Sequence, residues 1–316
     1  MIGRLPPIRK NNENSLHLYR NSRLDMSFRK PSFLNRWRRL QNHAEKKTII
    51  DAKDPWSTLS LKEWLGYRDL LYFLIWRDIK IIYKQTVLGF SWAIIRPFFA
   101  MLVFSFIFGK LAQLDSEGVP YPVFSYTALL PWTYFSTVIT KSTNSLIGTA
   151  EIFTKVYYPR IFAPLTPVVS ALVDFSIAFF ILALMMLIYN IVPSSTILAL
   201  PLVLFLLLIT AAGLGIWLSA LAIQYRDIKH AVPFLTQLLL YLAPVAWSYS
   251  LIPKPYDRLY ALYPMVGVIE GFRACLIKQG ALPWQYIVPG YFMAICILIS
   301  GIYYFHRREI FFADIV

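Results

Sequence analysis

The sequence predicts an all-α integral membrane protein of six transmembrane helices, preceded by an amphipathic interface helix and carrying short re-entrant or outer helices between spans five and six. Three observations lead there. Of 316 residues, 57% are apolar and 16% aromatic but only 15% charged, against about 25% charged in an average soluble domain. Apolar runs close to the ~20 residues needed to cross a hydrocarbon layer recur along the chain. The net charge of +14 is also lopsided, residues 1–88 holding 18 Lys+Arg against 8 Asp+Glu and the remainder 13 against 9. Beside membrane spans such a basic block marks the cytoplasmic face, and no nucleic-acid partner is expected from it.

The first element is a basic cytoplasmic extension, residues 1–60. Pro6, Pro7, Pro31 and Pro55 stand there among Asn, Arg and Lys, a composition that buries too little apolar area to offset ordering entropy, so disorder is expected. It lacks the apolar core of a cleavable leader. Residues 61–316 form the transmembrane domain. Over 62–85 the pattern is helical: Trp64, Leu71, Ile75, Ile79 and Ile82 gather on one side and Lys62, Asp69, Arg77, Lys80 and Lys84 on the other. That two-sidedness suits a helix lying in the membrane interface. Arg68 falls on the apolar side and must snorkel or pair.

Spans are expected at about 90–110, 123–148, 165–189, 197–223, 231–251 and 286–305. The third and fourth are nearly uninterrupted apolar runs. The second holds Pro131, Lys141 and many Ser and Thr, which suits a helix surrounded by other helices better than one bathed in lipid. The fifth is broken by Pro233 and Pro244. An even number of spans leaves both termini on one face, which the basic block makes cytoplasmic. Residues 252–285 are apolar but too short to cross, and divide around Pro264 into two helical pieces of a re-entrant or surface-lying hairpin. Lys254, Arg258, Arg273 and Lys278 load this outer loop with cations, partly offset by Asp257 and Glu270. Glu270 and Arg273, three residues apart, share a face on which they can pair.

The chemistry is marked by absences. There is no G-x-x-x-x-G-K-[ST] loop, H-E-x-x-H, G-x-S-x-G or Cys/His cluster, so no ATP hydrolysis, catalytic residue, cofactor or metal site is expected on this chain. Cys275 and Cys296 give no disulfide framework. Ionisable groups inside spans are costly and need a reason. Arg96 and Lys141 lie near the inner ends of their spans, within snorkelling reach of water. Asp174 sits about 14 Å in; a hydrogen-bonded neutral carboxyl, a static ion pair and a proton-carrying site all stay open. The aromatics Phe98, Phe99, Phe106, Tyr241, Trp247 and Tyr249 fit either sugar faces or ordinary helix packing. Between spans two and three, an amphipathic segment from Glu151 to Tyr158 fits a docking helix or a plain loop.

A set of motifs in order carries a resemblance: YRDLLYFLIWRDIKIIYKQTVLGFSWAIIRP, then LLPWTYF, KVYYPRIFAPL, the YRDI after span four and a terminal EIFFADIV. Over about 61–316 the chain resembles the permease subunit of ABC-2 type exporters of bacterial surface polysaccharide (O-antigen, capsule or teichoic acid). The ordered set is specific where each motif alone is weak. The resemblance implies a multi-pass protein of the bacterial inner membrane that moves lipid-linked polysaccharide as a homodimer. It implies two copies of a separate ABC ATPase subunit, which would hold the ATP and Mg. It assigns ATPase coupling to Glu151, Lys155, Tyr157, Tyr158 and Arg160, with Arg226 and Asp227 in a second connection. It places the channel along spans one and five, and so along the six aromatics named above. It gives the interface helix, with Trp64, Arg68, Arg77, Lys80 and Lys84, a part in substrate entry among the membrane lipids. Two other classes remain in view: a membrane-embedded glycan-modifying enzyme using Asp174 or Glu270, opposed by the lack of a second acid at a recognisable spacing, and a secondary transporter, opposed by the lack of visible repeats.

Overall fold

The computed structural model describes residues 66–84, 91–148, 159–278 and 281–309, all within the unit Lys53–Val316. The expected 1–60 extension, Trp64 and the segment 151–158 lie outside the described residues. Those described are helical, with no strand among them. Four helices are long and apolar enough to cross a membrane, Ser91–Leu111, Phe162–Ile188, Ser195–Gln224 and Trp284–Glu309, or five if a bent pair is counted as one span.

Helix α1 (Arg68–Lys84) leads into α2 (Ser91–Phe104), which runs on through a π-helical turn, Ser105–Leu111. Next comes α3 (Tyr121–Gly148), which is not among the apolar candidates, yet most of its 28 residues are buried. It runs antiparallel to α4 (Phe162–Ile188): the hydroxyls of Tyr126, Tyr134 and Ser142 donate in turn to the carbonyls of Ala178, Val168 and Pro164. Helix α3 is thus shielded by protein along its length. Threonine hydroxyls along it are satisfied internally, Thr127, Thr133, Thr140 and Thr143 each donating to the carbonyl four residues back at 2.7–2.8 Å, so a polar sequence is tolerated in a buried helix.

Helix α5 (Leu200–Gln224), entered through a 3-10 turn at Ser195–Ala199, lies against both α3 and the final helix α9 (Trp284–Glu309). At Gly213 a Cβ would come within 2.9 Å of the Leu298 backbone, so the closeness of α5 and α9 requires glycine there. The main core gathers buried side chains of α3, α4 and α5 with those of the hairpin before α9. Helix α1 docks on a second cluster through Leu74, 1% exposed, beside Leu146, Phe162 and Phe305. Asp78 accepts a hydrogen bond from Ser170 of α4 at 2.6 Å.

The structure defines the contact face of α1 and corrects two expectations. Helix α1 and the residue before it meet the protein with Tyr67, Leu70, Leu71 and Leu74, a row spaced by three and four residues, and α1 leaves Tyr72, Phe73 and Trp76 exposed. The helix expected to reach residue 251 is α6 (Ile228–Leu242). It stops at Ala243, φ −78° and ψ 145°, because the residue before Pro244 is driven out of the helical region and Pro244 has no N–H to donate. Trp247 and Tyr249 therefore lie beyond the helix. The segment after it does divide near Pro264, into α7 (Lys254–Tyr260) and α8 (Pro264–Leu276), bent by 101°. All 13 residues of α8 are buried, which excludes a surface-lying position for that piece.

Candidate functional site

Two groupings of charged side chains stand out, at different levels of the helical bundle. The first lies at the end that holds the 112–120 loop and the α7–α8 hairpin. Arg273, fully buried, donates through Nη1 to Glu270 Oε1 at 2.8 Å and to the Trp247 carbonyl at 3.1 Å, and through Nη2 to the Val245 carbonyl at 3.0 Å. Its guanidinium lies 3.7 Å from the centre of the Phe124 ring. Lys278 Nζ bridges Glu270 Oε2 at 2.9 Å and Glu117 Oε2 at 2.7 Å, and the Ser248 hydroxyl donates to the other Glu117 oxygen. The pairing of Glu270 with Arg273 agrees with their spacing. Glu117 and Lys278 complete the cluster from segments that are remote in sequence.

Burial shapes this cluster's electrostatics. At Glu117 burial alone favours the neutral acid, but the hydrogen bonds and charge of Lys278, with the Ser248 hydroxyl, outweigh it and hold the carboxyl below its ordinary 4.5. At Lys278 burial disfavours the ammonium, and Glu270 and Glu117 together reverse that and raise it above 10.5. Glu117 sits at φ 57°, a left-handed conformation that costs a non-glycine residue about 1–2 kcal/mol and here turns its carboxylate to Lys278. Helix α8 is held close by Gly267, where a Cβ would fall 2.7 Å from the Tyr286 carbonyl oxygen.

The second grouping lines a cavity of about 220 Å³ between α2, α3 and α4. Its walls bring together the three charges expected in separate spans: Arg96 from α2, Lys141 from α3 and Asp174 from α4. Trp92, Thr133, Tyr134 and Thr137 share the lining. Helix α3 presents Leu130, Thr133, Tyr134, Thr137 and Lys141 to it, a single face at helical spacing. The guanidinium of Arg96 lies 5.5 Å from the centre of the Trp92 ring. Trp92 and Thr137 went unnoticed in the sequence, although each is one helical turn from a cation on its own helix.

The other expected site residues spread over the molecule. Phe98, Phe99 and Phe106 are exposed along α2 and its π-helical turn, and Tyr241 is exposed on α6. Trp247 stacks on Tyr260 with ring centres 5.7 Å apart, while Tyr249 meets Tyr286 edge-on at 5.0 Å and lies 4.9 Å from Lys278. Both therefore border the first cluster. At the opposite end, Arg160 donates to the Glu309 carbonyl at 2.9 Å, and Arg226 and Asp227 are exposed in the turn before α6. Glu151, Lys155, Tyr157 and Tyr158 lie outside the described residues. On α1, Arg68 is exposed 3.6 Å from Asp69, Lys80 lies 5.3 Å from the Trp76 ring, and Arg77 has a buried Nε with no hydrogen-bond partner among the described residues. Lys84 ends α1.

Comparison with known proteins agrees with this architecture. The family model described as ABC-2 type transporter matches residues 69–277. An O-antigen export system permease protein RfbA of Klebsiella pneumoniae is 28% identical over 82% of this chain and all of its own length. A protein of the same description from Myxococcus xanthus is 28% identical over 69% of this chain and 84% of its own. The polysialic acid transport protein KpsM of Escherichia coli is 25% identical over 69% of this chain and 81% of its own.

Proposed function

Since the chain belongs to the ABC-2 type transporter family, we propose that it is the permease subunit of an ATP-driven exporter that moves lipid-linked polysaccharide across the bacterial inner membrane. The observation that carries this reading is the match to an O-antigen export permease along that protein's whole length. The chain is a transport protein, not an enzyme, and it lacks a phosphate-binding loop of its own. Hydrolysis of ATP with Mg falls to a separate ATPase subunit, two copies of which serve a permease homodimer.

The multi-pass arrangement has six crossings in this reading. Helix α3 supplies the second, supported by its antiparallel hydrogen-bonded contact with the apolar α4, and α6 with the turn after it supplies the fifth. Both termini are cytoplasmic, which sets Arg160, Arg226, Lys229, Arg307 and Arg308 on the inner face. Of the four outer-loop cations, Arg273 and Lys278 are bound to Glu270 and Glu117, which lessens the departure from that bias. Helix α1 serves as the interface helix, the segment 61–316 as the transporting domain and 1–60 as a cytoplasmic extension.

Coupling follows as a rigid-body step. Closure of the ATPase pair on ATP moves the 151–160 segment of each copy, and the packed bundle carries that motion to a path between the copies along α2 and α6. The exposed Phe98, Phe99, Phe106 and Tyr241 face that path, where aromatic surfaces suit the C–H faces of sugar rings. Co-purification with an ATPase, reconstitution in inverted vesicles and measurement of ATP-dependent glycan uptake test the reading. Uptake that proceeds without the ATPase would sink it.

A further inference from the structure

Cations at membrane depth normally find a counter-charge, since an isolated one is expensive there. In the α2–α3–α4 cavity two do not: among the described residues neither Arg96 nor Lys141 takes part in an ion pair. Arg96 lies five residues into α2, about 7.5 Å along its axis, and Lys141 seven residues before the end of α3, about 10.5 Å. Both therefore stand within about two turns of a helix end, a depth from which long cationic side chains reach toward a headgroup layer. They come from different helices and open into one space, with one carboxylate, Asp174, against the two of them.

The hydroxyls sharpen the picture. Thr127, Thr133, Thr140 and Thr143 of α3 spend their protons on the carbonyl one turn back. Thr137, on the cavity wall, makes no such bond among the described residues. A planar guanidinium held beside Trp92, with an ammonium and a donor hydroxyl lining the same space, suits an anion rich in oxygen acceptors.

We propose that this cavity is a lipid-phosphate subsite, in which Arg96 and Lys141 bind the phosphate oxygens of a lipid whose chains remain in the bilayer and Thr137 donates a further hydrogen bond. The proposal rests on reading the chain as the permease of a lipid-linked cargo, and it names the part of that cargo the chain would grip. The phosphate arrives from one of two sources, the carrier of the cargo or an ordinary anionic phospholipid.

The test uses the full chain in a maltoside detergent, which contains no phosphate, titrated with a photoactivatable dialkyl phosphate and with an uncharged dialkylglycerol of equal chain length. The phosphate lipid should crosslink and the uncharged one should not. Arg96→Gln and Lys141→Gln should each weaken binding about tenfold and the double variant about a hundredfold, with Arg96→Lys losing less than Arg96→Gln and Lys254→Gln on α7 losing nothing. Competition by phosphatidylglycerol or by lipid-linked glycan extracted from cells identifies the source, and displacement by either upholds the subsite. Wild-type affinity in a folded double variant, or equal binding of the uncharged lipid, overturns it. The single variants decide by the same criterion if the double variant does not accumulate. Binding needs neither ATP nor a partner, so its failure leaves the exporter reading standing, while absence of export by the wild-type chain would sink that reading and leave the titration untouched.

Discussion

The cluster of Glu117, Glu270, Arg273 and Lys278 and the cavity of Arg96, Lys141 and Asp174 use the same kinds of side chain under opposite terms. In the cluster two carboxylates meet two cations, the links measure 2.7–2.9 Å, and Arg273 and Glu270 are 0% and 1% exposed. In the cavity, two cations and one carboxylate face open space on three helices. Buried charge that is fully paired joins segments of chain together. Charge that lines a void, with cations left over, has its attraction directed at something that enters. The contrast separates the charges that hold the fold from those available to a ligand.

The strongest attempt to break this contrast removes one partner from the closed cluster. Glu270→Gln leaves Arg273 buried without its counter-charge and should destabilise the chain by about 3–5 kcal/mol, read as a fall in the thermal midpoint of the detergent-solubilised protein. An unchanged midpoint would place the cluster among ornamental ion pairs. Next in size, Gly267→Ala forces a Cβ against the Tyr286 carbonyl and should cost about 1–3 kcal/mol by pushing α8 outward.

The rim should respond less. Glu117→Gln should cost at most about 1 kcal/mol, because Glu117 and Lys278 keep 27% and 20% of their side-chain surface. Its signature is a pH dependence. With the Glu117 carboxyl held below 4.5 in the folded chain, its contribution is complete above that value and vanishes as pH falls through the lowered one. Lys278, raised above 10.5, contributes fully below that value and loses its contribution as pH climbs through the raised one. Glu117→Gln should therefore flatten the acid limb of the stability profile and shrink the alkaline limb without abolishing it, because Glu270 still holds Lys278. The smallest expected stability change is in the cavity: Arg96→Gln and Lys141→Gln should each move unfolding by no more than about 0.5 kcal/mol while lowering export in cells. A large loss of stability with export intact would reverse the comparison.

Sequence made parts of both regions legible. Three-residue spacing announced Glu270 with Arg273, since one helical face brings i and i+3 together whatever surrounds them. Counting 1.5 Å per residue set the depths of Arg96, Lys141 and Asp174 on their own helices. It did not say that the three line one cavity, because the rotation of a helix about its axis is decided by its neighbours. Likewise Glu117 and Lys278 meet across 161 residues, and nothing local to either one points to the other. Pro244 did carry the signal that ends α6, but hydropathy ran past it, since apolar content measures burial and not backbone geometry.

The sequence by itself determined the solvent: a chain this apolar, with its charge gathered at one end, belongs in lipid, and the long runs that became α4, α5 and α9 follow from hydrocarbon thickness alone. Tertiary structure decided what the polar remainder does. Helix α3 is polar because other helices cover it, α8 keeps Glu270 and Arg273 buried in a cluster that Glu117 and Lys278 complete, and Arg96 and Lys141 share a cavity because α2 and α3 meet at that height. Hydrophobicity is summed along the chain and can be read there, whereas pairing depends on distances that exist only after the helices have packed.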